Sequence, residues 1–231
     1  MDFYRVPVDQ VFTAMESSPE GLSPEEAARR LEIHGPNVLQ TLSTINPLVI
    51  FINQFKSFII YILLFAVVFS LLIGEYVDTV IILAILLANA AIGFFQELSA
   101  HRSLEALKQI STVQATVVRN GRKKTVAAAL LVPGDVIELS AGDKVPADAR
   151  IVAAIRLKAE EAALTGESVP TDKEPAVIES VVPLGDRRNM LYSATAVATG
   201  NGRAVVVATG METELGRITT LITEAEEEMT P

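Results

Sequence analysis

Two long runs of apolar residues stand in the middle of an otherwise mixed chain. Residues 57–74 (SFIIYILLFAVVFSLLIG) and residues 79–96 (TVIILAILLANAAIGFFQ) each contain 18 residues without a charge. With its flanks, each run is long enough to cross a hydrocarbon core of roughly 30 Å as a helix. Only residues 75–78 separate the two runs. The pattern therefore predicts a transmembrane helical hairpin at residues 46–110.

Charged residues beside the runs predict which side of the membrane each end faces. Lys56 precedes the first run, Arg102 and Lys108 follow the second, and the loop between the runs carries only acids. The positive-inside rule places both flanking regions in the cytoplasm and the loop outside. We therefore expect an integral protein of a plasma or organelle membrane, with the lipid bilayer as a partner. Asn89, within the second run, is interpreted as a helix–helix hydrogen bonder rather than an ion ligand.

The first 45 residues predict two short helices. Apolar residues at positions 8, 11, 12 and 15 fall on one helical face. Ser23-Pro24-Glu25-Glu26 is a capping box with proline at the first helical position, and Gly35-Pro36 ends that second helix. Helices this small and half polar need a surface to pack on. Residues 1–45 are therefore expected to dock on another domain of the chain.

From residue 113 onward the pattern changes to short strands separated by turns. Asn120-Gly121 predicts a hairpin between the runs at 115–118 and 123–126. Further turns follow, and together they predict a small distorted antiparallel jelly roll or barrel at residues 111–223. A last helix is expected to begin near Thr213, and the acidic residues 224–231 are expected to form a linker. The predicted fold class is an α+β membrane protein.

The composition removes several kinds of chemistry. The chain has 19 basic and 28 acidic residues, a net charge of −9, which argues against nucleic acid as a partner. It has no cysteine, so disulfides, thiolate catalysis and cysteine-ligated metals are excluded. Its two histidines leave a zinc site to be built from carboxylates. We expect no metal or cofactor to be bound by the chain itself.

The candidate chemical motif is Thr165-Gly166-Glu167-Ser168, which lies between strand patterns. Glycine lets a backbone approach a phosphate closely, and a carboxylate can orient and deprotonate water. Alone, these four residues are more typical of a capped surface turn, so their interpretation depends on context. Asp143 and Asp148 are interpreted as turn and strand-end hydrogen bonders.

The context is a resemblance to the N-terminal part of the type II P-type cation-transporting ATPases. Features in the family's order carry it: Gly21-Leu22-Ser23 to Gly35-Pro36-Asn37, the apolar pair followed by LEALK at 104–108, PGD at 133–135, GDKVPAD at 142–148, LTGESVP at 164–170, and Thr209-Gly210 with TELG at 213–216. Residues 54–56 and 74–78 look most like the calcium-pump branch, while the sodium-, potassium- and proton-pump branches stay open. Ala194-Thr195 departs from the family's usual Gly-Thr pair.

The resemblance implies a role for the motif. Residues 111–223 would be a cytoplasmic actuator domain, which swings its TGES loop onto an aspartyl phosphate made from ATP in another domain. Glu167 would position and activate the attacking water, and Thr165, Gly166 and Ser168 would shape the loop around the phosphate. The movement would pull on the first two membrane helices.

The resemblance also implies partners outside these residues. Mg²⁺ and ATP are expected for the complete pump, together with its phosphorylation and nucleotide-binding domains, its remaining membrane helices and the transported cation. The family's Asp-Lys-Thr-Gly-Thr motif does not occur in the sequence, so we expect the chain alone to be inactive. Two alternatives stay open: a membrane-anchored module that regulates a pump, and one half of a split pump.

Overall fold

The computed structural model describes residues 1–39, 51–52, 54, 56–110 and 113–228. They belong to two compact units, a strand-rich unit of Met1–Gln40 with Thr112–Pro231 and a helical unit of Thr41–Ser111. The domain boundary predicted at residue 45 lies outside the described residues. Each unit is described by itself.

The strand-rich unit is built on an antiparallel sheet. Its described strands are β1 (Gln114–Arg119), β2 (Arg122–Ala127), β3 (Val136–Ser140), β4 (Asp148–Glu160), β5 (Thr171–Asp172), β6 (Met190–Leu191) and β7 (Ala196–Ala208). They are hydrogen-bonded in the order β2-β1-β3-β7-β4-β5, with β6 beside β4. The predicted antiparallel sheet is confirmed.

The predicted hairpin is β1 and β2. Asn120 (φ 50°) and Gly121 (φ 70°) both have left-handed backbones, as the two-residue turn between such strands requires.

Two strands are longer than the short strands expected from the sequence. β4 and β7 have 13 residues each, and their pairing shifts register between Ile151 and Ala153 and again between Ile155 and Lys158. Each shift inserts an unpaired residue and bends the strands. The bulges break the two-residue alternation of apolar and polar positions, so only part of each long strand shows a strand pattern in the sequence.

Both faces of the sheet are covered. Val117, Ile137 and Val206 belong to the large apolar core on one face. Their neighbours Val118, Val136 and Val205 point the other way and pack against helix α1 (Val8–Ala14) through Val11 and Phe12. This arrangement follows from the two-residue period of a strand. The face that a solvated sheet would leave polar is covered here by the N-terminal segment.

Helix α2 (Pro24–His34) and the residues after it are hydrogen-bonded to segments that connect the strands or follow them. The capping box is confirmed, since the Glu26 amide donates to Ser23 Oγ at 3.1 Å. Arg30 Nη1 donates to the carbonyls of Met15 and Pro133. Asn37 Nδ2 donates to two carbonyls, those of Ala128 and Pro146, and Asn37 Oδ1 accepts from the Gly210 amide.

The helical unit contains α3 (Phe58–Ile73) and α4 (Tyr76–Ile110). The turn between them consists of Gly74, with φ 89°, and Glu75, so it is shorter than the predicted loop of residues 75–78. Within the described part of the chain, one segment, Tyr76–Ser99 of α4, is long and apolar enough to cross a membrane. α3 contains no charged residue but has only 16 residues. The Asn89 side chain is exposed.

Two further α-helices belong to the described part of the strand-rich unit. α5 (Ala162–Thr165) is a single turn, and α6 (Glu214–Glu228) begins one residue after the predicted start. α6 continues through the acidic residues 224–228, which were expected to be linker, because glutamate and alanine are good helix formers. Residues 229–231 lie outside the described part of the chain.

Candidate functional site

The predicted motif lies in a loop at an edge of the sheet. The last residues of β4 pair with β5, which places Ala159 opposite Thr171 and Lys158 opposite Asp172. The residues between the strands project from that base. Thr165 is half-buried, while Gly166, Glu167 and Ser168 are exposed.

Gly166 turns the chain at the end of α5. Its amide donates to the Ala162 carbonyl at 3.0 Å, and its backbone is left-handed at φ 77°. A Cβ at this position would meet no heavy atom within 4 Å. Backbone conformation rather than space therefore favours glycine here.

Thr165 connects the base of the loop to its tip. Its Oγ1 donates to the Glu161 carbonyl at 3.1 Å and accepts from the Glu167 amide at 3.3 Å. On its other side, a Cβ at Gly185 would lie 3.2 Å from Thr165 Cγ2, so the threonine methyl packs closely against that turn. The threonine fixes the backbone on which Glu167 is carried.

Glu161 and Lys173, which the sequence analysis passed over, form a buried ion pair at the base of this loop. Glu161 Oε1 lies 2.6 Å from Lys173 Nζ, and the two side chains are 1% and 0% exposed. Burial raises the pKa of Glu161 and lowers the pKa of Lys173, and each charge opposes the shift of the other. The only sequence signal for the pair is the placement of two opposite charges on either side of the motif.

Asp143 and Asp148 have the structural contacts expected of them. Asp143 Oδ2 accepts from the Ser140 amide at 2.8 Å within a turn. Asp148 is buried, and its two oxygens accept from the amides of Ser193 at 2.8 Å and Glu214 at 2.7 Å. Burial raises the pKa of Asp148 to about 6, against the opposing effect of the two amides. Asp148 thereby caps the first turn of α6.

The loop offers one exposed carboxylate, that of Glu167, on a backbone that Thr165 holds by hydrogen bonds. Glu167 can present its carboxylate to a group that is brought to the tip from outside the loop, and Ser168 adds a hydroxyl beside it. In the ranges that the structure describes, no group of three or more His, Asp or Glu side chains could hold a metal ion. That Mg²⁺ and ATP bind to other parts of a complete pump stays a prediction.

Comparison with known families identifies the domain that carries this loop. Residues 109–223 match the P-type ATPase actuator domain, and residues 3–70 match the N-terminus of the cation transporter ATPases. The strand-rich unit therefore contains an actuator domain. With both matches in their family order, the chain belongs to the P-type cation ATPases and corresponds to their N-terminal part.

Individual relatives agree with the family. The chain is 43% identical to "Probable cation-transporting ATPase F" of Mycobacterium tuberculosis over 227 residues, 98% of this chain and 25% of that protein. It is 41% identical to the "Calcium-transporting ATPase" of Bacillus subtilis over 233 residues, 100% of this chain and 26% of the relative. It is 39% identical to "Calcium-transporting ATPase 4, endoplasmic reticulum-type" of Arabidopsis thaliana over 233 residues, 93% of this chain and 22% of that relative. The chain spans about a quarter of the length of these curated relatives.

Proposed function

We propose that the chain is the N-terminal and actuator part of an ATP-driven cation pump, and that the transported ion is calcium. The observation that carries the proposal is the exposed Glu167 on a braced loop of an actuator domain. Similarity to calcium-transporting ATPases of several bacteria and a plant supports the choice of ion.

The proposed chemistry is hydrolysis of an aspartyl phosphate. Water attacks phosphorus, the bond from phosphorus to the aspartate oxygen breaks, and Glu167 takes the proton that the water loses. Thr165, Gly166 and Ser168 hold the loop against the phosphate. A positioned general base of this kind contributes roughly 10²–10⁴-fold to a rate.

The proposed membrane anchor is the pair α3 and α4, with the actuator domain in the cytoplasm. Many of their apolar side chains are exposed, among them Phe65, Leu72 and Val77, which is the surface that lipid would cover. The sequence has no cysteine, so single cysteines can be introduced at Tyr76 and Asn120. In intact cells, an impermeant thiol reagent should label the first position and spare the second. Labelling at Asn120 would contradict the orientation.

A hybrid pump tests the function as a whole. Residues 1–231 replace the matching N-terminal quarter of the Bacillus subtilis relative, and membrane vesicles are assayed with ATP, Mg²⁺ and Ca²⁺. We expect a calcium-dependent phosphoenzyme that turns over and drives calcium uptake. A hybrid that inserts and is phosphorylated but never turns over would contradict the proposal.

The same system separates the two alternatives. A regulatory module would change the activity of the intact relative when the separate chain is added. Half of a split pump would restore activity to a relative that lacks its own N-terminal quarter when both chains are made in one cell.

A further inference from the structure

The geometry at the base of the loop assigns a positioning role to the buried pair of Glu161 and Lys173. We infer that this pair, named here the clasp, holds Glu167 where it can activate water. The inference rests on the proposed function, because it concerns the same hydrolysis of an aspartyl phosphate.

The clasp closes the loop that carries the motif. Glu161 lies directly before α5, and Lys173 follows directly after β5. Their charged atoms are 2.6 Å apart, and the Lys173 amide also donates to the Leu157 carbonyl at 2.9 Å. Both ends of the loop are therefore fixed to β4 and to each other.

A continuous path of contacts leads from the clasp to Glu167. The Glu161 carbonyl accepts from both the amide and the Oγ1 of Thr165, at 2.9 and 3.1 Å. Thr165 Oγ1 in turn accepts from the Glu167 amide at 3.3 Å. A displacement of the Glu161 main chain, which the clasp holds in place through the side chain, would thus shift Thr165 and, with it, the hydroxyl that accepts from the Glu167 amide.

The clasp also fixes the loop to the core. Lys173 Nζ lies 5.8 Å from the centre of the Tyr192 ring, and Tyr192 is buried with Tyr4 and Met190. In the described part of the chain, no hydroxyl, amide or carbonyl group hydrogen-bonds to either charge, so each charge depends on the other. Separating the pair would leave both charges buried and uncompensated.

Stability alone does not account for the clasp. Replacing a buried ion pair by apolar residues of similar volume is often neutral or stabilising, whereas removing one partner leaves an uncompensated buried charge. The buried pair at this position is explained if it sets the geometry of the loop rather than the stability of the fold. Misplacement of a reacting group by about 1 Å can cost roughly 10²-fold in rate.

The test uses the hybrid pump with both charges removed together, Glu161→Met with Lys173→Met. We expect phosphoenzyme to form at the normal rate and to decay about 10- to 100-fold more slowly. The matched control is Lys158→Met with Asp172→Met. That pair lies on β4 and β5, close in sequence to the clasp, with charged atoms 3.1 Å apart, but is 43% and 72% exposed. Its removal should leave decay unchanged.

Selective slowing of decay distinguishes positioning from a merely structural role, which would reduce formation and decay together with the amount of folded pump. If the double methionine variant does not fold, Glu161→Gln with Lys173→Met removes both charges while keeping a polar group. Normal decay in a folded clasp variant, beside slow decay in Glu167→Gln, would overturn this inference and leave the proposed function standing. Normal decay in Glu167→Gln itself would overturn the proposed function.

Discussion

The strand-rich unit buries many of its apolar side chains, whereas the described part of the helical unit exposes most of its large apolar side chains. In the strand-rich unit, residues such as Val117, Ile137 and Ile151 are fully buried. In α3 and α4, most of the large apolar side chains are exposed, and the buried positions are few. Water drives the first arrangement, because burying apolar surface stabilises a fold by about 25 cal/mol per Å². The second arrangement suits a hydrocarbon solvent, so the two units are built for different surroundings.

The two units also differ in what they do with charge. The described apolar stretches of α3 and α4 contain no buried charged residue, whereas the strand-rich unit buries Arg150, Asp148, Glu161 and Lys173. Arg150 donates to the carbonyls of Phe3, Val6, Ile151, Pro175 and Asn189. Buried charge in this unit therefore joins segments that are distant in the sequence.

The largest effect is expected from removing that arginine. Arg150→Met leaves several buried carbonyls without a donor, and we expect it to lower the free energy of unfolding by about 4 kcal/mol. Urea unfolding of the detergent-solubilised chain can be followed by near-ultraviolet circular dichroism, since Tyr4 and Tyr192 are buried in this unit. Arg122→Met, at an exposed hairpin position, is the control. A loss below about 1 kcal/mol would show that the buried arginine does not join these segments.

Introducing a charge at one exposed apolar position in each unit tests whether the two units have different surroundings. Leu87 in α4 is 55% exposed and Ile155 in β4 is 66% exposed. Leu87→Arg should cost about 3 kcal/mol of membrane insertion, whereas Ile155→Arg should change stability by less than about 0.5 kcal/mol. Insertion is measured by the fraction of each variant that resists alkaline extraction from membranes. Equal and small effects at both sites would mean that α4 faces water.

A smaller, pH-dependent effect is expected at Asp148. Because burial raises its folded pKa to about 6 from 3.8, the folded state holds the proton more tightly than the unfolded state. Its contribution to stability is complete below about pH 4 and is lost as the pH rises through about 6, a change of about 2 to 3 kcal/mol.

The test compares unfolding from pH 4 to pH 7 in Asp148→Asn and in the unchanged chain. The variant should lose this part of the pH dependence, while Asp143→Asn, in a turn, should keep it. Parallel stability profiles for Asp148→Asn and the unchanged chain would contradict the raised pKa.

The sequence predicted the local features of the fold well. The capping box at Ser23, the hairpin at Asn120-Gly121 and the long apolar helix need only neighbouring residues. The lengths of β4 and β7 could not be predicted, because bulges interrupt their alternation. The partners of Arg150 could not be predicted either, since Phe3 is 147 positions away.

The candidate site was predictable to a similar degree. Because Thr165 to Ser168 are contiguous, the sequence alone shows that they lie close together. The clasp was missed because neither Glu161 nor Lys173 looks different from a surface charge in the sequence. Burial comes from Tyr192 and the rest of the core, which the chain brings together only on folding.

The central claim is that Glu167 activates the water that hydrolyses an aspartyl phosphate. The most direct measurement is the decay of phosphoenzyme in the hybrid pump carrying Glu167→Gln, after labelled ATP has been chased with unlabelled ATP. Glutamine keeps the shape of the side chain and removes the base, so decay should slow by roughly 10²–10⁴-fold while phosphorylation proceeds as before. Asp143→Asn serves as the matched carboxylate control and should decay normally. Normal decay in the Glu167→Gln pump would contradict the claim and make the loop a structural turn.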